Sequence, residues 1–201
     1  MQTDETYVGP PIDDPEQLAR LPEAFASLLR QKNGFIWFRG GLHVRGACMS
    51  PSWHSLHAAT VGVVAFHQLY WDVRPSDIPF AEDCMGDQFL LRDAEVLRLA
   101  AETGKVASLG IGAGDFLAQV EENPIDLLQM QPLFRFENDG GRLAPGELLA
   151  AYPPFFAQQA GEGVSLRAIS ADERRRFLAD IANQIRNLPD GSTIRFEVKR
   201  E

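Results

Sequence analysis

Metal, nucleophilic and acid–base chemistry each need a few residue types to converge, and in this chain those types are sparse. Four histidines and two cysteines are the whole supply of imidazole and thiol groups in 201 residues. His54 and His57 stand three apart, so on a helix they share a face, as two zinc ligands would. No third ligand follows at a telling spacing, because His43, His67, Cys48 and Cys84 are scattered. A nucleophile needs a base and an orienting group, and no Gly-x-Ser-x-Gly elbow occurs. Cys84 adjoins Asp83, whose carboxylate raises a thiol pKa and suppresses the reactive thiolate. The stretch 109–115, Leu-Gly-Ile-Gly-Ala-Gly-Asp, follows an expected strand and opens an expected helix, where a phosphate loop would sit. It lacks the glycine spacing of a dinucleotide fingerprint, no Lys-Ser or Lys-Thr follows, and Asp115 would repel a phosphate. Glu82/Asp83 and Glu121/Glu122 are adjacent pairs, so their side chains diverge in a strand or turn instead of sharing a proton. The expectation is a protein with no catalytic, metal or cofactor-binding set, and not an enzyme.

Charge is more informative than any single motif. The formal net charge is −9, which disfavours nucleic acid and anionic membrane as partners and favours a basic protein or no charged partner. The negative charge is concentrated. Seven acids stand against two arginines between Asp72 and Glu95, and six against one between Asp115 and Asp139. Local charge of this kind speeds association with a basic partner and selects against wrong ones. The residues expected to meet a partner are therefore Glu82, Asp83, Asp93, Glu95, Glu121 and Glu122. Asp87, beside Gly86, is expected to hold its turn by accepting from turn N–H groups.

The elements that present these residues follow from pattern. Residues 1–13 read as a polar arm with little order of its own. They show no basic region followed by an apolar core, so no secretory signal is expected, and no apolar run reaches membrane-span length. Two cysteines are too few for a disulfide framework, which suits a cytoplasmic setting. Asp14-Pro15 starts a helix, and a second runs from Pro22 to Asn33-Gly34. Residues 35–38 and 42–44 form a hairpin around Gly40-Gly41. Ser50-Pro51 opens a helix carrying Trp53 and Leu56, while 61–70 fits helix or strand equally. Four short strands at 77–82, 87–92, 95–99 and 105–109 form an antiparallel meander, since their connections are too short for parallel crossovers. A helix follows from about Asp115 to Asn123-Pro124. The segment 131–165 is broken by Pro and Gly, with a short helix at 147–151. Ser170-x-x-Glu173 starts a helix as a capping box, with Phe177, Leu178, Ile181 and Ile185 inward, and 194–198 alternate as a final strand. The fold class is α+β, a largely antiparallel sheet of about five to six strands with helices packed on it.

The order of these motifs resembles the SUKH superfamily. LPEAFASLLRQKNG (21–34) looks like its opening helix, ending in Asn-Gly before a strand. DIPFAEDCMGDQFLL (77–91) resembles its most recognisable motif: apolar strand, acidic turn, Gly-Asp, hydrophobic strand. EVLRLAAETGKV and DFLAQVEENP follow in the expected order. The similarity covers about residues 15–130, with 131–201 as an extension on the same single domain. It implies an α+β fold and, for many bacterial members, an immunity protein that binds and blocks a toxin delivered between competing bacteria, often by type VI secretion. Other members are regulatory or scaffold adaptors. The resemblance thus implies a cytoplasmic protein whose partner is a cognate toxin, for which the charge suggests a basic one.

Overall fold

The polar arm at the start of the chain is part of the sheet. The structure is a computed structural model and describes residues 4–155, 157–189 and 192. β1 (Tyr7–Val8) pairs antiparallel with β2 (Phe35–Trp37), and the Gly9 N–H donates to the Gly34 carbonyl at 3.0 Å. The expectation of little order there is corrected: backbone pairing, the Glu5–Lys32 ion pair and the packing of Tyr7 on Trp53 hold the arm. α1 (Pro15–Ala19) begins as expected, with Asp14 accepting from the Gln17 N–H at 3.1 Å and Pro15 in the first turn. α2 (Glu23–Gln31) buries Phe25, Ala26 and Leu29. β2 leads into β3 (Leu42–Val44) through a 3₁₀ turn at Phe38–Gly40, not a two-residue Gly-Gly turn. Phe38 and Arg39 adopt positive φ there, and Phe38 is fully buried.

The helix expected from Ser50-Pro51 is divided. A 3₁₀ turn at Ser52–His54 precedes α3 (Leu56–Thr60), which Ser55 caps by accepting from the Ala58 N–H at 3.1 Å. Exposed Val61, Val63 and Val64 separate it from α4 (Phe66–Leu69), so 61–70 is partly helix and nowhere strand. The meander then runs through β4 (Ile78–Asp83), β5 (Gln88–Arg92), β6 (Glu95–Ala100) and β7 (Lys105–Gly112). The seven strands lie in sequence order, each antiparallel to the next. The α+β class is as expected. The strand count is higher because β1 joins the sheet and a second, two-stranded sheet exists.

That second sheet lies in the Pro- and Gly-broken region. After α5 (Phe116–Glu122), α6 (Pro124–Leu127) and α7 (Gln131–Asn138), β8 (Glu147–Tyr152) pairs antiparallel with β9 (Ser165–Ser170). The expected helix at 147–151 is thus a strand. Its Leu148, Leu149 and Ala151 are buried, and the Leu149 N–H donates to the Cys84 carbonyl at 2.8 Å. α8 (Ala171–Ile185) follows, but Ser170 makes no side-chain cap bond. Its buried face holds Leu178, Ile181 and Ala182 together with Arg174 and Arg175, while Phe177 is 39 % exposed. The final strand expected at 194–198 lies outside the described residues.

The sheet is covered on both faces. Phe80, Phe89, Leu91 and Val96 pack with Phe25 and Leu29 of α2 and Phe116 and Val120 of α5. Leu90, Leu97 and Leu99 pack with Phe66 and Tyr70 around α4 and with Leu178, Ala179 and Ala182 of α8. Two-sided burial explains why Phe89-Leu90-Leu91 reads as a continuous apolar run instead of alternating. No helix among the described residues is long and apolar enough to cross a membrane.

Candidate functional site

The polar residues nearest the acidic turn do not face outward. Glu82 closes β4 and is 1 % exposed. Its Oε2 accepts from Arg45 Nη2 at 2.9 Å, Arg175 Nε at 2.9 Å and Gln88 Nε2 at 3.0 Å. Its Oε1 accepts from Arg175 Nη2 and lies 2.9 Å from His43 Nδ1. β3 and β4 place His43 opposite Glu82 in register, and α8 brings Arg175 from the far end of the chain. Burial alone would raise the Glu82 pKa, but the guanidinium groups of Arg175 and Arg45 hold it well below the usual carboxylate range. A buried carboxylate clamped by two guanidinium groups is a docking pin between sheet and C-terminal helix.

The hydrogen-bonded chain continues inward. His43 Nε2 lies 2.8 Å from His54 Nδ1, and His54 Nε2 lies 3.0 Å from the Asn33 carbonyl. Acceptors stand at both ends, so three contacts need three protons, whereas two neutral imidazoles bring two. A third proton would close the chain but would place an imidazolium beside Arg45 and Arg175. Burial first, opposed in part by Glu82, lowers His43 to about 4. Burial, the His43 ring and Arg45 lower His54 to about 3. Desolvation and the two guanidinium groups decide the outcome. The pair is neutral near pH 7, and one of the three contacts sets two acceptors against each other.

The remaining chemistry-bearing residues are separated. His57 pairs with Asp14 at 3.0 Å, away from His54, so the two do not form a shared ligand face. Among the described residues no group of three or more His, Cys, Asp or Glu is placed to hold a metal. Cys48 and Cys84 are buried free thiols. Burial, then Asp13, pushes Cys48 up to about 11, and burial with Asp83 pushes Cys84 well above its ordinary range. A cleft of about 150 Å³ opens beside the pin, lined by Arg45, Arg175, Arg176, Asp172, Ser52 and others.

Asp83, like Glu82, is 1 % exposed, which corrects the expectation that the pair faces a partner. Asp83 is also the residue that holds the turn. Its Oδ1 accepts from the N–H groups of Met85, Gly86 and Asp87 at 2.9, 3.0 and 3.1 Å, and its Oδ2 pairs with Arg98. Burial and the Asp87 carboxylate push its pKa up, against Arg98 and the turn N–H groups. Asp87, expected in that role, instead accepts from Arg98 Nε at 2.9 Å and from the Ala101 N–H at 2.9 Å. The other four acids are where a partner could meet them. Asp93, Glu95, Glu121 and Glu122 are all exposed. Asp93 and Glu95 flank the β5–β6 turn, and Ala113, just before α5, donates to the Ala94 carbonyl at 2.9 Å. The turn therefore adjoins the start of the helix whose far end carries Glu121 and Glu122. None of the four makes an ion pair among the described residues. Glu95 accepts only from the Ser108 hydroxyl.

Fold and site together define a both-sides-covered antiparallel meander, pinned internally by charge and exposing four carboxylates that make no ion pair among the described residues. Among solved structures the chain is similar to Atu4351 from Agrobacterium tumefaciens, with a TM-score of 0.54 and 15% sequence identity, covering 87% of this chain and 85% of that one. At that identity the likeness concerns the fold. No family model and no curated protein matches the chain.

Proposed function

We propose that this chain is a non-enzymatic immunity protein that binds a basic bacterial toxin in the cytoplasm and blocks it by occlusion. The resemblance of residues 15–130 to the SUKH superfamily motivates the reading. The observation that carries it is four exposed carboxylates without an ion pair among the described residues, Asp93 and Glu95 beside the β5–β6 turn and Glu121 and Glu122 at the far end of α5. Exposed carboxylates without internal cations keep their field available to a basic protein. Glu82 and Asp83 belong to the interior and have no part in this surface.

The test is co-expression with the product of the neighbouring gene. Protection of the cell and co-purification of the two proteins are expected. Replacing Glu121 and Glu122 by Lys should slow association by about tenfold at low salt and weaken its salt dependence. Neither protection nor co-purification would sink the reading. Recovery of an endogenous protein in place of a toxin would favour a regulatory or scaffold adaptor using the same surface.

A further inference from the structure

Three buried polar side-chain atoms have no hydrogen-bond partner among the described residues: Tyr70 Oη, Arg174 Nη1 and Arg174 Nη2. They belong to one neighbourhood, since the Tyr70 hydroxyl and Arg174 act on each other electrostatically. Arg174 is 1 % exposed. Its Nε is anchored on the Met85 carbonyl at 3.2 Å, which fixes the plane of the guanidinium. Its nearest carboxylate, Glu102, stands 3.7 Å from Nη2, beyond hydrogen-bonding reach. Arg174 and Glu102 both line a cavity of about 420 Å³ beneath the acidic turn, with Asp87, Thr103, Phe155 and Gln129 among the other walls.

We propose that this cavity binds a small zwitterion of the α-amino-acid class, its carboxylate taken by Arg174 Nη1 and Nη2 and its ammonium by Glu102. The charges facing the cavity select this class. Asp87 pairs with Arg98 at 2.9 Å, a guanidinium it shares with Asp83, so the opposite charges that face each other on the cavity wall are Arg174 and Glu102, 3.7 Å apart and without a hydrogen bond between them. A plain anion would meet Arg174 but also Glu102, and a plain cation would meet the reverse. An α-amino acid carries both charges on one carbon and satisfies both walls. Two parallel N–H donors of a fixed guanidinium suit a carboxylate's paired oxygens. The volume lies within the range of small-ligand pockets. Both Nη atoms are covered, so the ligand reaches them only as lining side chains move, and Gln129, Gln131 and Phe155 are the exposed ones among them.

The proposal is tested on the full chain by thermal shift and titration calorimetry with each of the common α-amino acids, and with acetate and methylamine as half-ligands. At least one amino acid should raise Tm and titrate to a single site, while neither half-ligand does so at the same concentration. Glu102→Gln and Arg174→Lys should each weaken binding by about tenfold or more. Circular dichroism checks that both variants fold. Glu102 is half-buried in a turn, so its variant keeps the test sharp if Arg174→Lys does not fold. Three results overturn the proposal: no saturable binding of any amino acid, acetate binding as well as the best amino acid, or binding unchanged in the folded variants. All three are read without a toxin, so they are independent of the immunity assay.

Discussion

Glu82 decides more at the scale of one residue than any other side chain. Replacing it by Gln keeps the shape but leaves Arg45 without its ion-pair partner and Arg175 with only the partly exposed Asp172. Breaking a buried pair by removing one partner costs about 3–5 kcal/mol, and a loss of that size is expected in urea denaturation of Glu82→Gln. The neighbouring histidines set a pH dependence. The folded pKa of His43 lies at about 4, below its ordinary 6.5, so the unfolded chain binds that proton more readily. Its stabilising contribution is fully present above pH 6.5 and is lost as pH falls towards 4, with His54 adding a fall in the same direction. The loss is on the order of 3 kcal/mol for His43 across that window. Denaturation midpoints measured from neutral to acidic pH should fall, and should fall less steeply in His43→Gln. A rise on acidification would mean that the imidazole pair takes its third proton inside the fold.

The critical element is the turn between β4 and β5, because sheet, second sheet and α8 all meet on it. Asp83 binds three of its N–H groups, the Cys84 carbonyl receives β8, and the Met85 carbonyl receives Arg174. Gly86 has φ +99, and a Cβ there would stand 2.9 Å from Leu178 Cδ1. Gly86→Ala should therefore cost about 1–3 kcal/mol from backbone strain alone, with the crowding of α8 added. Gly62 is the control. It has φ +88, but a Cβ there meets nothing within 4 Å, so Gly62→Ala should lower the melting temperature less. Much of the element map was legible in advance, because caps, turns and alternation are local. Asp14-Pro15, α2 and the four strands of the meander were readable from pattern. β8 was not: its Leu148-Leu149-Ala150-Ala151 run suits a helix, and pairing with β9 overrides that propensity.

For the whole molecule the distribution of charge matters more than its sum. The acids behind the net −9 include two contrasting populations. Glu82, Asp83 and Asp77 are buried against Arg45, Arg175, Arg98 and Arg92, where they hold elements together. Asp93, Glu95, Glu121 and Glu122 are exposed and unpaired. Of the two, the second gives a field at the surface, and that field decays over a Debye length of about 8 Å at physiological salt. Charge reversal at Glu121 and Glu122 should therefore alter association rate far more than stability, the opposite of Glu82→Gln. Measuring both quantities on both variants separates the two populations.

Sequence alone determined the antiparallel meander and the concentration of acid in its middle, because these depend on neighbours along the chain. It could not tell which acids face water. Glu82 and Glu95 look alike in a sequence, both acidic and both in strands of the meander, yet only Glu95 is exposed. Glu82 is internal only because Arg45 and Arg175 come to it from 37 and 93 residues away. The burial of Arg174, whose two Nη atoms have no hydrogen-bond partner among the described residues, is likewise invisible in the sequence, where a polar residue at the start of α8 reads as solvated. Tertiary structure decided both cases, since burial and the pairing of charge are properties of segments brought together, not of the residues themselves.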